Sequence, residues 1–123
     1  MKIALEIFRA LADSTRLRIL ALLRSMELSV GELAQVLGQS QPRVSRHVKI
    51  LCDAGLAERR KEGSWVFVAL GNDRHVQPVL NALDAWSADD ADWAVADSAR
   101  LAAGRADRAA AAEEWFETQG GEW

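Results

Sequence analysis

Apolar residues in the first quarter of the chain recur at the spacing of an α-helix. Over residues 3–12, one apolar stripe is carried by Ile3, Ile7, Phe8 and Leu11. A second run, which ends near Ser25, is apolar on most sides. Asp13 or Ser14 can cap its first turn, because both side chains accept hydrogen bonds from backbone N–H groups. The pattern predicts two consecutive helices, of which the second lies across the core.

Two more helices, joined by a short turn, are predicted next. Ser29 and Glu32 have the spacing of a capping box, in which each side chain bonds a backbone N–H of the first turn. That helix is expected to end at Gly38. Ser40 can cap the following helix, which is expected to run to Gly55, a residue suited to the left-handed position past a helix end.

A hairpin and a last amphipathic helix are predicted to follow. Residues 56–60 and 65–70 are short extended runs, and the polar, glycine-bearing residues 61–64 connect them. Apolar side chains then return at helical spacing, at Val76, Val79, Leu80, Leu83 and Trp86. Beyond this helix the composition turns to alanine, acid and arginine, and we expect residues 98–117 to be helical but poorly packed.

The order of these elements predicts a mainly α fold with a small β-hairpin. Two short helices on either side of residues 38–40 have the spacing of a helix-turn-helix, and the hairpin would be its wing. We therefore divide the chain into a winged helix-turn-helix domain for DNA binding and dimerisation, residues 1–88, and an acidic, alanine-rich helical tail or linker, residues 89–123.

The charge is unevenly distributed along the chain. The net charge is −3, but residues 1–83 contain 12 Lys and Arg against 8 Asp and Glu, whereas residues 84–123 contain 3 against 10. In the net charge of the whole chain, the positive charge of residues 1–83 is thus hidden by the negative charge of residues 84–123. Because a local basic patch is what meets phosphates, the overall charge does not exclude a nucleic-acid partner.

The second helix of the helix-turn-helix has the side chains that read DNA. If Val44, Val48 and Leu51 face inward, the opposite face is cationic and hydrogen-bonding. Arginine and glutamine read base edges in the major groove, whereas serine and lysine suit phosphate oxygens. We interpret His47 either as a phosphate contact or as a structural histidine. The candidate DNA-binding residues are Gln39, Ser40, Gln41, Arg43, Ser45, Arg46, His47, Lys49, Arg59, Arg60, Lys61 and Ser64.

Composition excludes several other classes of protein. One cysteine, Cys52, allows no internal disulfide and is too few for a cysteine-rich metal site, so we interpret it as a small core residue or, alternatively, a redox sensor. Two histidines and no nucleophile motif leave nothing from which to assemble a catalytic site or to hold a cofactor. No run approaches the roughly 20 apolar residues that span a bilayer. We expect a cytoplasmic protein that is not an enzyme.

The segment from Phe8 to Leu70 resembles the ArsR family of bacterial winged-helix regulators. The resemblance is carried by ALADSTRLRILALL at 10–23, ELSVGELAQVLGQSQPRVSRHVKIL at 27–51 and AGLAERRKEGSWVFVAL at 54–70. It implies a repressor that binds double-stranded DNA as a homodimer, with each recognition helix in one half-site of an inverted repeat. Its first and post-wing helices would pack across the two-fold axis, through Ile3, Ile7, Val79, Leu80, Leu83 and Trp86.

Many members of this family are metal-released repressors, but their usual ligands do not recur here. The familiar cysteine pair would fall near Ser29 and Gly31, neither of which is a soft ligand. Asp73 and His75 resemble the first half of a site on the post-wing helix, yet Trp86 stands where its second histidine would be. We therefore expect no metal site, and Asp73 is more simply a helix cap.

The tail suggests a subgroup of the family. Residues 100–123 resemble the helix that connects an ArsR-type domain to an S-adenosylmethionine-dependent methyltransferase-like domain, which is absent here. This implies a shortened protein whose effector is S-adenosylmethionine or S-adenosylhomocysteine. The tryptophans from Trp86 onward would contact the missing domain or a partner, or fold back on the dimer. The alternatives are a winged-helix module for protein contacts and the regulatory segment of a larger methyltransferase.

Overall fold

The structure is a computed structural model that describes residues 1–86 and 94–104. Its elements are α1 (Lys2–Leu11), α2 (Ser14–Leu23), α3 (Val30–Leu37), α4 (Gln41–Asp53), β1 (Ala57–Glu62), β2 (Trp65–Leu70) and α5 (Val76–Trp86). Residues 94–104 are also helical. The fold is a winged helix-turn-helix, mainly α with a two-stranded antiparallel hairpin, as the sequence predicts.

Side-chain caps fix where the helices begin. Asp13, rather than Ser14, caps α2, because its carboxylate accepts the backbone N–H of Arg16 at 3.1 Å. At the start of α3 both halves of the predicted capping box are present. The Ser40 hydroxyl accepts a backbone N–H in the first turn of α4. Gly38, at φ 67°, closes α3 in the left-handed conformation that glycine adopts without strain. These local signals set the length of the turn before α4.

The inner face of α4 lies in the centre of the core. Val44, Val48 and Leu51 are fully buried, as the helical periodicity predicts. Val68 of β2 is buried beside them, and its backbone pairs with that of Leu28 through N–H···O bonds of 2.8 and 3.1 Å. The hairpin is thus attached to the segment before α3. Because three inward side chains hold α4, the direction of its outer face is fixed by packing.

The described part of the predicted tail packs against the domain. Asp97 is only 1% exposed and accepts two hydrogen bonds of 2.8 Å from the Arg18 guanidinium on α2. Arg100 donates from Nε to the carbonyl of Val36 on α3 at 2.9 Å, and Leu101 joins the core. Most of residues 98–104 are exposed, as poor packing predicts, but Arg100 and Leu101 hold the helix to the domain, and the helix begins earlier than predicted. Residues 105–117 lie outside the described part of the chain.

Paired hydrogen bonds explain how a carboxylate can be buried at this contact. Burial acts to raise the pKa of Asp97, but the hydrogen bonds from Arg18 and Arg100 hold that pKa below its usual value. The carboxylate therefore stays charged and matched by two guanidinium groups. The composition of this segment, rich in alanine, acid and arginine, does not predict this contact.

Candidate nucleic-acid interface

The outer face of α4 presents cations and hydrogen-bonding groups to solvent. Its exposed candidate residues are Gln41, Arg43, Ser45, Arg46 and Lys49. In residues 1–86 and 94–104, no ion pair joins Arg43 or Arg46 to an acidic group. Lys49 lies 2.8 Å from Asp53 in an exposed pair one turn apart, which is weak in water. The two arginines are thus free to bind an external acceptor.

The two polar residues of the turn before α4 have different roles. The Gln39 amide donates to the Thr15 hydroxyl at 3.0 Å, and its buried Oε1 has no hydrogen-bond partner among the described residues. Ser40 is exposed, but its hydroxyl accepts the N–H of Arg43 at 3.4 Å. Gln39 therefore connects the turn to α2, while Ser40 serves as a helix cap.

His47 lies at the edge between the inner and outer faces of α4. Its Nδ1 is 3.0 Å from Nη1 of Arg16 and 3.9 Å from the Asp13 carboxylate. Burial lowers the pKa of His47, and the neighbouring arginines act in the same direction, whereas Asp13 acts to raise it. The internal partner favours the structural interpretation of this histidine, and a phosphate contact stays a prediction.

The wing is longer and its turn tighter than the sequence predicts. Lys61 and Glu62 belong to β1, so that only Gly63 and Ser64 connect the strands. Gly63 has φ 63°, the positive value that two-residue hairpin turns require. Lys61 is consequently held in the antiparallel ladder opposite Val66 and does not lie in a loose loop.

The three cations of the wing differ in their surroundings. Arg60 donates to the Glu27 carboxylate at 2.8 Å and lies 3.6 Å from that of Glu62. Arg59 and Lys61 lie on the opposite face of the strand, since side chains alternate along β1. Neither has an ion pair within the described ranges. Of the predicted cluster, Arg59 and Lys61 have no ion pair in the described residues, whereas Arg60 is paired with Glu27 and Glu62.

Sequence reasoning missed Trp65 as a surface residue. It is 67% exposed at the start of β2, directly after the turn, and pairs across the hairpin with Glu62. The signal that could have found it is its position next to the polar tip of the hairpin, where side chains lie away from the buried core.

The residues predicted for a dimer interface divide into two groups. Ile7, Val79 and Leu80 are buried within the chain itself, and Leu83 is half-buried. Ile3 and Trp86, by contrast, are 53% and 67% exposed, and Phe8 on α1 is 61% exposed. Large apolar side chains therefore remain uncovered on both α1 and α5.

The other candidate chemistry of the sequence is limited in the described residues. Among them, no three His, Cys, Asp or Glu side chains are grouped so as to hold a metal ion. Asp73 accepts the backbone N–H of His75 at 2.9 Å and also bonds its ring, and both bonds lie in the turn before α5 and not in the first turn of that helix. Cys52 is half-buried against the core, and burial raises the pKa of its thiol. None of the described helices combines the length and apolarity needed to cross a membrane.

Comparison with known proteins identifies the family. Residues 13–59 match the family model described as bacterial regulatory protein, arsR family. The chain is 37% identical over 93 residues to the arsenic resistance transcriptional regulator ArsR2 of Pseudomonas putida, covering 70% of this chain and 81% of the relative. The chain belongs to the arsR family.

Two other family matches bear on the architecture. The chain is 40% identical over 81 residues to the HTH-type transcriptional regulator KmtR of Mycobacterium tuberculosis, covering 66% of this chain and 62% of that protein. A solution structure from Mycobacterium bovis, described as a homodimeric winged helix-turn-helix DNA-binding domain, superimposes with a TM-score of 0.62 at 26% identity. The superposition covers 68% of this chain and 77% of the Mycobacterium bovis chain. The matched part thus spans less than two thirds of KmtR.

Proposed function

We propose that this member of the arsR family is a sequence-specific DNA-binding transcriptional regulator, acting as a repressor in the cytoplasm. The observation that carries the proposal is the outer face of α4. Arg43 and Arg46 are exposed and free of ion pairs there, on a helix whose opposite face is fully buried. A rigid helix with unpaired guanidinium groups is what bidentate reading of guanine in the major groove requires.

The wing would supply a second, sequence-independent attachment. Arg59 and Lys61 project from β1 on one face of the hairpin, near the exposed Ser64 of the turn. Contacts of this kind to phosphate oxygens fix the register of a protein on the duplex without reading the bases. Base readout by α4 and phosphate binding by the wing together describe one continuous DNA-binding surface.

The regulator is proposed to act as a homodimer through α1 and α5. The exposed Ile3 and Phe8 on α1 and Trp86 on α5 leave apolar surface for a second copy to cover. The homodimeric description of the Mycobacterium bovis structure supports this assembly. A two-fold dimer carries two recognition helices and would bind an inverted repeat, one half-site per protomer.

The test is titration of the purified chain against duplexes from its own promoter region, with salt varied and a metal chelator present. Selective, salt-sensitive binding is expected. The double variant Arg43→Ala/Arg46→Ala should lose selectivity. Arg74→Ala, which removes an exposed arginine before α5, is the matched control and should bind like the wild type. Equal binding to all duplexes by the wild type would contradict the proposal and favour a protein-interaction module.

The subgroup and the effector are separate proposals. The relatives described above give no support to a methyltransferase fusion, and most of residues 100–123 lie outside the described chain. We propose S-adenosylmethionine or S-adenosylhomocysteine as effector only on the resemblance of that segment, with no catalytic activity in this chain. Addition of either compound to the DNA titration tests this, and an operator affinity that neither compound changes would overturn it.

A further inference from the structure

Arg16 lies where three helices meet. It belongs to the first turn of α2, and its guanidinium donates from Nε to the carbonyl of Ala10 at 2.6 Å and from Nη2 to that of Arg9 at 3.2 Å. Both carbonyls are in the last turn of α1, where the helix itself supplies few N–H donors, and the Arg9 carbonyl also accepts the backbone N–H of Ala12 at 3.3 Å. One side chain therefore caps the C-terminal end of α1.

The third nitrogen of the same guanidinium reaches α4. Nη1 of Arg16 is 3.0 Å from Nδ1 of His47. An arginine has donors only, so Nδ1 must act as the acceptor. His47 must then be neutral with its proton on Nε2, because a protonated ring would have no acceptor to offer. The tautomer of His47 is thus assigned by its hydrogen-bond partner.

The charges around His47 agree with this assignment. Arg16 approaches from α2, while Arg43 and Arg46 lie on the same helix as the histidine, and all three disfavour its charged form. In the described residues, Asp13 is the acidic group that favours the charged form, but its carboxylate is 3.9 Å from Nδ1, beyond hydrogen-bonding distance. The contact with Arg16 is therefore the short, directional one.

We propose that Arg16 is a positioning residue for DNA recognition, joining the end of α1 to the recognition helix through His47. The inference rests on the proposed function, since α1 is the proposed dimer helix and α4 the proposed reading helix. A guanidinium bonded to both helices holds α4, with Arg43 and Arg46 on it, in a fixed orientation relative to α1, the proposed dimer helix. Arg16 need not touch DNA to set its affinity.

The decisive experiment is a double-mutant cycle on operator affinity. Arg16→Ala and His47→Ala are each expected to weaken operator binding about three- to tenfold. The double variant should lose no more affinity than the single variant with the larger loss, because both substitutions remove the same hydrogen bond. His47→Ala leaves the cap on α1 intact, so it keeps the test valid if Arg16→Ala fails to fold. Additive losses, or wild-type affinity in His47→Ala, would overturn the proposal.

A second readout in the free protein separates this inference from the proposed function. Imidazole nitrogen chemical shifts report the tautomer of His47, and a pH titration reports its pKa. Arg16→Lys keeps a cation near the α1 carbonyls, but its three donors sit on one nitrogen and cannot reproduce the planar guanidinium fork that reaches both α1 and His47. We expect it to free Nδ1 and mix the tautomers of His47. If the wild type binds DNA selectively but Arg16→Lys leaves the tautomer of His47 unchanged, only the inferred Arg16–His47 link is contradicted. If Arg16→Lys changes the tautomer but the wild type does not bind DNA selectively, the proposed function is contradicted.

Discussion

The recognition helix and the wing both expose cations, but they hold them in different ways. On α4, Arg43 and Arg46 have no ion pairs in the described structure and stand on a helix whose other face is fully buried. On the wing, Arg60 is engaged by Glu27, and the hairpin projects beyond the core with Trp65 exposed. The helix is thus suited to directional contacts with bases, and the wing to less exacting contacts with phosphates.

The largest difference between the two regions should appear in stability. Leu51→Ala removes a fully buried side chain from the inner face of α4 and should lower the free energy of unfolding by about 2–5 kcal/mol. Trp65→Ala, on the exposed wing, should change it by no more than about 0.5 kcal/mol. Urea unfolding followed by circular dichroism measures both. Equal losses would show that the wing is as tightly integrated as the helix.

The next largest effect should be on base recognition by α4. Arg46→Ala should weaken specific operator binding by roughly 1–3 kcal/mol and relax base preference, because a bidentate contact to a base is lost. Competition binding against single-base operator variants measures the change. An operator affinity equal to that of the wild type would remove Arg46 from the interface, and Arg74→Ala controls for the loss of one positive charge.

The wing should behave differently when one of its cations is removed. Lys61→Ala should weaken binding to every duplex about equally and reduce the slope of log K against log salt by about one, as expected for a lost phosphate contact. Arg60→Ala should change the slope less, because its guanidinium is already paired with Glu27. A change in base preference for Lys61→Ala would contradict the division of roles.

The sequence predicted those features that depend on neighbouring residues. The inward set Val44, Val48 and Leu51 follows from helical periodicity, and the start of α3 follows from a capping box three residues apart. Side-chain partners distant in sequence could not be predicted. Arg60 and Glu27 are 33 positions apart, and Arg18 and Asp97 are 79 apart. Such pairs depend on how helices and strands pack against one another, and local sequence patterns do not predict this packing.

The same limit applies within the candidate interface. Arg43 and Arg46 were predicted to be outward from the periodicity of their own helix, and they are exposed. Gln39 was placed in the DNA-binding set from its position in the turn, but the structure bonds it to Thr15 on α2. Residue type and spacing therefore identify which groups can bind DNA, while tertiary contacts decide which of them are free to do so.

The smallest expected effect would test whether the engagement of Arg60 limits the wing. Glu27→Gln removes an exposed carboxylate partner of Arg60, and exposed pairs contribute about 0–1 kcal/mol, so DNA affinity should rise by no more than several-fold. Glu58→Gln removes the same charge from β1, at a carboxylate that forms no ion pair within the described part of the chain. If both variants gain equally, the cause is the lost negative charge. A gain confined to Glu27→Gln, and abolished by adding Arg60→Ala, would show that the released arginine binds DNA and that the ion pair with Glu27 limits the contribution of the wing.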